Sequence, residues 1–127
     1  MTLVIHGKPA PQPRVRAYRL GNRAGVYDPG TADEWKGQVM LAAGLYRGQF
    51  TTGPLRLEVE FYLPRPNARK NDDYVAVKPD IDNLLKSTMD ALSDAGVWRD
   101  DAQVVKQVVQ KHYGEPARCE ITITELT

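Results

Sequence analysis

Leu55-Arg56-Leu57-Glu58-Val59-Glu60-Phe61-Tyr62-Leu63 alternates apolar and polar residues without a break. Successive side chains of a strand point to opposite faces, so this run predicts a β-strand with one face in a core and one toward water. Working outward, Leu3-Val4-Ile5 predicts a short first strand. Residues 7–30 are rich in Gly, Pro and Arg, and Pro9, Pro11 and Pro13 block helix and central strand, so a long polar loop is expected. Loops of that length are uncommon inside compact domains and tend to be functional. Thr31-Ala32-Asp33-Glu34 has the spacing of a capping box that opens a helix over 32–46, with Trp35, Val39, Ala42 and Tyr46 toward the core.

On the far side of the central strand, residues 64–79 predict a second polar loop, carrying Arg65, Arg69 and Lys70. A helix is expected over 81–93, stopped near Gly96. In residues 103–113 the valines 104, 105, 108 and 109 fit a helical period as well as an irregular strand, and their β-branching favours strand. Residues 118–126 read as a closing strand with Ile121 and Ile123 on one face. The order β-α-β-α-β-β predicts an α+β fold, one domain over 1–127 in which a mixed sheet packs against two main helices.

Composition narrows the class. The chain has 127 residues, 42% of them hydrophobic and 26% charged, enough for a core without disulfides. No apolar run reaches the roughly 18 residues of a membrane span, and the N-terminus lacks the pattern of a signal peptide. The single cysteine, Cys119, reads as a small buried hydrophobe in a reducing compartment, so a cytoplasmic protein is expected. A net charge of +1 conceals an asymmetry: residues 1–70 carry 11 Lys/Arg against 5 Asp/Glu, and residues 71–127 carry 6 against 11. Such segregation suits a surface that grips phosphates beside a pocket that holds cations, although a solvated basic loop has the same composition.

The acidic half is concentrated in Lys78-Pro79-Asp80-Ile81-Asp82-Asn83-Leu84-Leu85-Lys86 and in Trp98-Arg99-Asp100-Asp101-Ala102-Gln103-Val104. Asp80 is suited to the N-cap, and Asp82, Lys86 and Asp90 form a polar stripe beside the core stripe of Ile81, Leu84, Leu85, Thr88 and Leu92. Since an N-cap residue is not helical, its side chain can swing back beside Asp82, with Lys86 one turn further on. Ordinary roles exist for each: a cap, a dipole partner, an i,i+4 ion pair, a turn. Together, carboxylates at a common point require a cation to offset their repulsion, and a nearby lysine suits phosphodiester hydrolysis. An EF-hand is excluded because Leu85 and Ala91 occupy the positions that need Gly and Glu. Zinc is disfavoured because His6 and His112 are isolated and one cysteine offers no ligand pair.

These two runs, with Met89-Asp90-Ala91-Leu92 between them, resemble the RusA family of Holliday-junction resolvases. The likeness is dense over 78–104 and extends loosely to most of the chain; the loop at 64–78 departs from it. The resemblance implies a RusA-like fold and a homodimeric, Mg²⁺-dependent endonuclease (Mn²⁺ being an alternative ion) that nicks four-way junctions in recombination and repair. It further implies that Asp80, Asp82 and Asp101 are the catalytic, metal-binding carboxylates and Lys86 the catalytic lysine, with Asp100 an adjacent acid of less defined role. Arg14, Arg16, Arg69 and Lys70 are candidates for DNA backbone contacts. The rival readings are a non-catalytic junction- or duplex-binding protein and a nucleotide-directed phosphoryl-transfer enzyme; the chain has no glycine-rich phosphate loop to support the latter.

Overall fold

The computed structural model describes residues 1–13, 16–21, 23–27, 30–69 and 71–127. The central strand is β4 (Leu55–Leu63), whose residues alternate between buried and half-buried along its whole length. It sits inside a four-stranded sheet with β1 (Thr2–His6), β5 (Val104–Tyr113) and β6 (Arg118–Glu125), in the order β1-β6-β4-β5. β6 runs antiparallel to both β1 and β4, whereas β5 is parallel to β4. A parallel neighbour needs a crossover, and helix α2 (Ile81–Asp94) provides it. Helix α1 (Asp33–Ala43) lies beside α2. The result is the expected mixed sheet with two helices.

One face of the sheet forms the core. Leu55, Leu57, Val59, Phe61, Cys119, Ile121 and Ile123 meet Trp35 and Val39 of α1 and Leu84, Ala91 and Leu92 of α2. Burial pushes the Cys119 thiol up from its ordinary value, so it is the inert packing residue that the composition implied. A polar link joins the two helices inside this core: Trp35 Nε1 donates to Thr88 Oγ1 at 3.1 Å, and Thr88 Oγ1 donates to the Leu84 carbonyl at 2.9 Å. Thr88→Val keeps the shape but strands the indole N–H. It is expected to cost about 1–3 kcal/mol, read as a lower urea midpoint at unchanged slope.

Three expectations need correction. The long segment 7–30 contains a hairpin, β2 (Arg16–Leu20) with β3 (Arg23–Tyr27). The capping box at 31–34 does not form: α1 starts one residue later, buried Ala32 takes the N-cap position, and no side chain caps it. Instead the Asp33 N–H donates to the Gly30 carbonyl at 3.2 Å. Within α2, Ile81 of the proposed core stripe is exposed, and Ser87 and Ala91 are buried.

α2 ends as anticipated at Gly96, which adopts φ 76°. A Cβ there would meet Arg47 Cγ at 3.2 Å in addition to the left-handed strain.

Candidate active site

Asp80 is the N-cap of α2, in extended backbone geometry, and its carbonyl accepts from Leu84 N–H at 3.1 Å. Its carboxylate makes no capping bond, so the ordinary role for this side chain is not filled. Asp82 follows in the first turn, exposed, and accepts only from the adjacent Asn83 N–H at 3.0 Å. Lys86 is exposed one turn on and makes no ion pair among the described residues. The surface pair Asp82–Lys86 is therefore not formed, and neither residue has a partner of opposite charge among the described residues.

The proline-rich segment is fastened along this end of α2. Gln12 N–H donates to the Asn83 carbonyl at 2.9 Å, and Ser87 Oγ donates to the Ala10 carbonyl at 2.6 Å. Pro11, Gln12, Lys78, Pro79, Asp80 and Asn83 thereby line an open concavity of about 590 Å³. The loop that looked functional in sequence is thus a wall beside Asp80. Gln12 and Lys78 were not singled out from sequence; only their proximity in the fold marks them.

The second acidic run is organised differently. Trp98 is buried and its Nε1 donates to Ser93 Oγ at 2.6 Å, which anchors the chain against the end of α2. Asp100 caps the 3₁₀ turn Asp101–Gln103: its Oδ1 accepts from Ala102 N–H at 2.8 Å, and Gln103 Oε1 accepts from Asp100 N–H at 2.9 Å. Asp100 is therefore occupied as a structural cap. Asp101 is exposed, with its carboxylate unengaged. The fold gives the two neighbouring aspartates different surroundings.

The two ends of α2 are well apart. Asp101 and Asp100 share a concavity of about 430 Å³ with Lys36, Asp90, Asp94 and Arg99. The helical rise puts Asp90 and Asp94 roughly 15–20 Å along the axis from Asp80. Among the described residues, no group of three or more Asp, Glu, His or Cys stands close enough within one chain to hold a metal ion. The expected meeting of Asp80, Asp82 and Asp101 is not made inside a single protomer. What one chain does offer fits a hard cation in part: two carboxylates with free oxygens at the mouth of α2, the number with which Mg²⁺ is often held alongside water and phosphate.

A third acidic cluster contrasts with these. On the open face of the sheet, Glu58, Glu60 and Glu120 border a hollow of about 260 Å³. Glu58 pairs with Arg56 at 2.7 Å and Glu120 with Arg118 at 2.9 Å, and the imidazole of His112 lies 3.7 Å from Glu60. Burial, then Glu60 and Glu120, push the Tyr62 hydroxyl up from its usual value. Glu58 and Glu120 thus have arginine partners, unlike the acids of α2.

Of the proposed DNA contacts, Arg14 and Lys70 lie outside the described residues. Arg16 begins β2 of the hairpin and Arg69 ends the 3₁₀ turn Asn67–Arg69. Arg65, from the same loop, is engaged: it donates to the Asp72 carbonyl and its guanidinium lies 5.3 Å from the centre of the Tyr113 ring.

The chain is thus a small mixed-sheet α+β domain with exposed carboxylates and a lysine at one helix mouth. The family model described as Endodeoxyribonuclease RusA matches residues 6–124. YqaN of Bacillus subtilis strain 168, an uncharacterised protein, is 32% identical over 135 residues, covering 97% of this chain and 94% of that one. The crossover junction endodeoxyribonucleases RusA of Enterobacteria phage 82 and of Escherichia coli K12 are each 39% identical over 74 residues, 58% of this chain and 53% of theirs. The match to these two therefore spans about half of their length. The chain belongs to the RusA endodeoxyribonuclease family.

Among the described residues, no helix is long and apolar enough to cross a membrane.

Proposed function

We propose that this protein is a divalent-metal-dependent DNA endonuclease that resolves four-way junctions by paired symmetric nicks, working as a homodimer in recombination and repair. The observation that carries the reading is a set of exposed charged side chains: Asp80, Asp82, Lys86 and Asp101 make no ion pair among the described residues, and Asp82 accepts only from the adjacent Asn83 N–H. Charged groups left unpaired in this way contribute little to folding and are free to meet a cation and a phosphate. The RusA relatives, named as crossover junction endodeoxyribonucleases, supply the substrate class.

Oligomerisation follows from the separation of the acids. If three carboxylates are needed, Asp80 and Asp82 of one protomer must be joined by Asp101 of a second copy. A two-fold axis that sets two α2 helices side by side and antiparallel brings the N-terminal end of each to the C-terminal end of the other. It creates two identical sites, matching the approximate two-fold symmetry of a four-way junction. Mg²⁺ or Mn²⁺, when bound there, supplies an activated water and neutralises charge at phosphorus. Lys86, one turn from Asp82, holds a positive donor toward the phosphate or leaving oxygen. Arg14, Arg16, Arg69 and Lys70 hold the backbone without reading its sequence, so binding weakens steeply with salt.

The test compares a synthetic four-way junction with plain duplex and branched DNA, each with Mg²⁺, with Mn²⁺ and with EDTA. Symmetric paired nicks on the junction alone, abolished by EDTA, are expected. A protein that binds junctions but never nicks them with either ion is the non-catalytic binder instead.

A further inference from the structure

We propose that Lys111 is a positioning residue for the cation site at the mouth of α2: its ammonium straps the backbone from which Asp80 projects. This rests on the endonuclease reading above. Lys111 occupies an unusual place. In the register of β5 it stands opposite Phe61, which is fully buried, and it lies between half-buried Val109 and buried Tyr113 on the core side of the strand. Alternation calls for an apolar residue there. Instead its stem runs along the apolar layer and its Nζ emerges at the start of α2. There it donates to the Val77 carbonyl at 3.1 Å and to the Pro79 carbonyl at 2.9 Å.

Against the two carbonyl bonds stand two costs of placing a lysine here. A cation near a helix N-terminus opposes the helix dipole, and a buried alkyl chain would satisfy the core side of β5 better. The gain is local. The Pro79 carbonyl belongs to the peptide that leads into Asp80, and the Asp80 carboxylate has no capping bond of its own. Its direction is therefore set by the backbone that Lys111 holds. The positive charge also lies at the same helix end as Asp80 and Asp82, where it offsets their mutual repulsion before a metal arrives. Places where a sequence breaks its own pattern are where function is expected.

The strap is separable from the attachment of the loop. Tyr113 N–H donates to the Asp73 carbonyl at 2.9 Å and Val75 N–H to the Lys111 carbonyl at 3.5 Å, both through the backbone. Lys111→Met retains these and the apolar stem, so it removes the ammonium and leaves the loop on the sheet.

The experiment measures Mn²⁺ binding to the protein by electron paramagnetic resonance, Mg²⁺ dependence of junction nicking, and junction binding in EDTA. For Lys111→Met, Mn²⁺ affinity and the Mg²⁺ needed for half-maximal nicking are expected to worsen by about 10–100-fold, the usual cost of losing a support behind a metal ligand, with EDTA binding within about twofold of wild type. Saturating Mg²⁺ restores most of the nicking, and Lys111→Arg recovers part of the affinity. A folded Lys111→Met with wild-type metal dependence overturns the proposal. Should that variant not fold, Lys111→Gln is judged by the same ratio. Failure of the wild type itself to nick or to bind Mn²⁺ defeats the endonuclease reading, whereas the variant-to-wild-type ratio concerns Lys111 alone.

Discussion

Asp82→Asn is expected to abolish junction nicking while leaving junction binding intact or tighter. The substitution conserves shape and removes one negative charge from an exposed first-turn position. Losing an outer support of a metal ligand costs about 10–100-fold, so losing a ligand itself should exceed about 100-fold in nicking rate. Stability changes little, because the exposed side chain accepts only from the adjacent Asn83 N–H, a bond that an asparagine oxygen can keep, and its interaction with the helix dipole is worth less than about 1 kcal/mol. Binding, measured by gel shift in EDTA, is expected to hold or improve, since a carboxylate that repels phosphate has gone. Asp100→Asn should behave in the opposite way: an asparagine oxygen still accepts from Ala102 N–H, so the turn that carries Asp101 survives and nicking persists. A variant at position 82 that nicks at the wild-type rate would remove the chemical basis of the proposal.

Much of this was available from sequence because it is local. β4 could be read from alternation because it is paired on both sides over nearly its whole length and its own residues alternate without a break between buried and half-buried. β5 was ambiguous for a structural reason: its register against β4 shifts between Leu55 and Arg56, and Val105 is displaced to 63% exposure. That bulge, set directly after the turn that presents Asp101, is what made the valines resemble a helix. The hairpin β2–β3 is masked in sequence by Pro9, Pro11 and Pro13, although all three precede it and Gly21-Asn22 between two short runs is a hairpin signal. The site motifs could be read because their residues are neighbours in sequence. The division of labour between Asp100 and Asp101 could not, because it depends on Gln103 closing a capping box. Nor could the distance between the two acidic runs, which is set by the length of α2 and by the burial of Trp98.

That distance yields the sharpest expected result, a complementation between two inactive variants. Asp82→Asn and Asp101→Asn should each be inactive alone. In a heterodimer built from one of each, a site made within one chain is defective in both protomers, and no nicking returns. A site shared between chains behaves otherwise. One site combines both lesions, while the other combines the intact Asp80 and Asp82 of one protomer with the intact Asp101 of its partner. Random exchange of an equal mixture makes half the dimers mixed, each with one intact site, so about a quarter of the wild-type sites should return. The products distinguish the case further, because a lone intact site nicks one strand of the junction and cannot complete the symmetric pair. Co-refolding the two variants and scoring single against paired nicks on a junction labelled on both continuous strands measures this directly. Silence in the mixture, with mixed dimers verified by mass spectrometry, would require all three carboxylates to act from one chain. It would then call for a rearrangement that brings the segment at 98–103 across the length of α2, against the buried Trp98 anchor and its bond to Ser93.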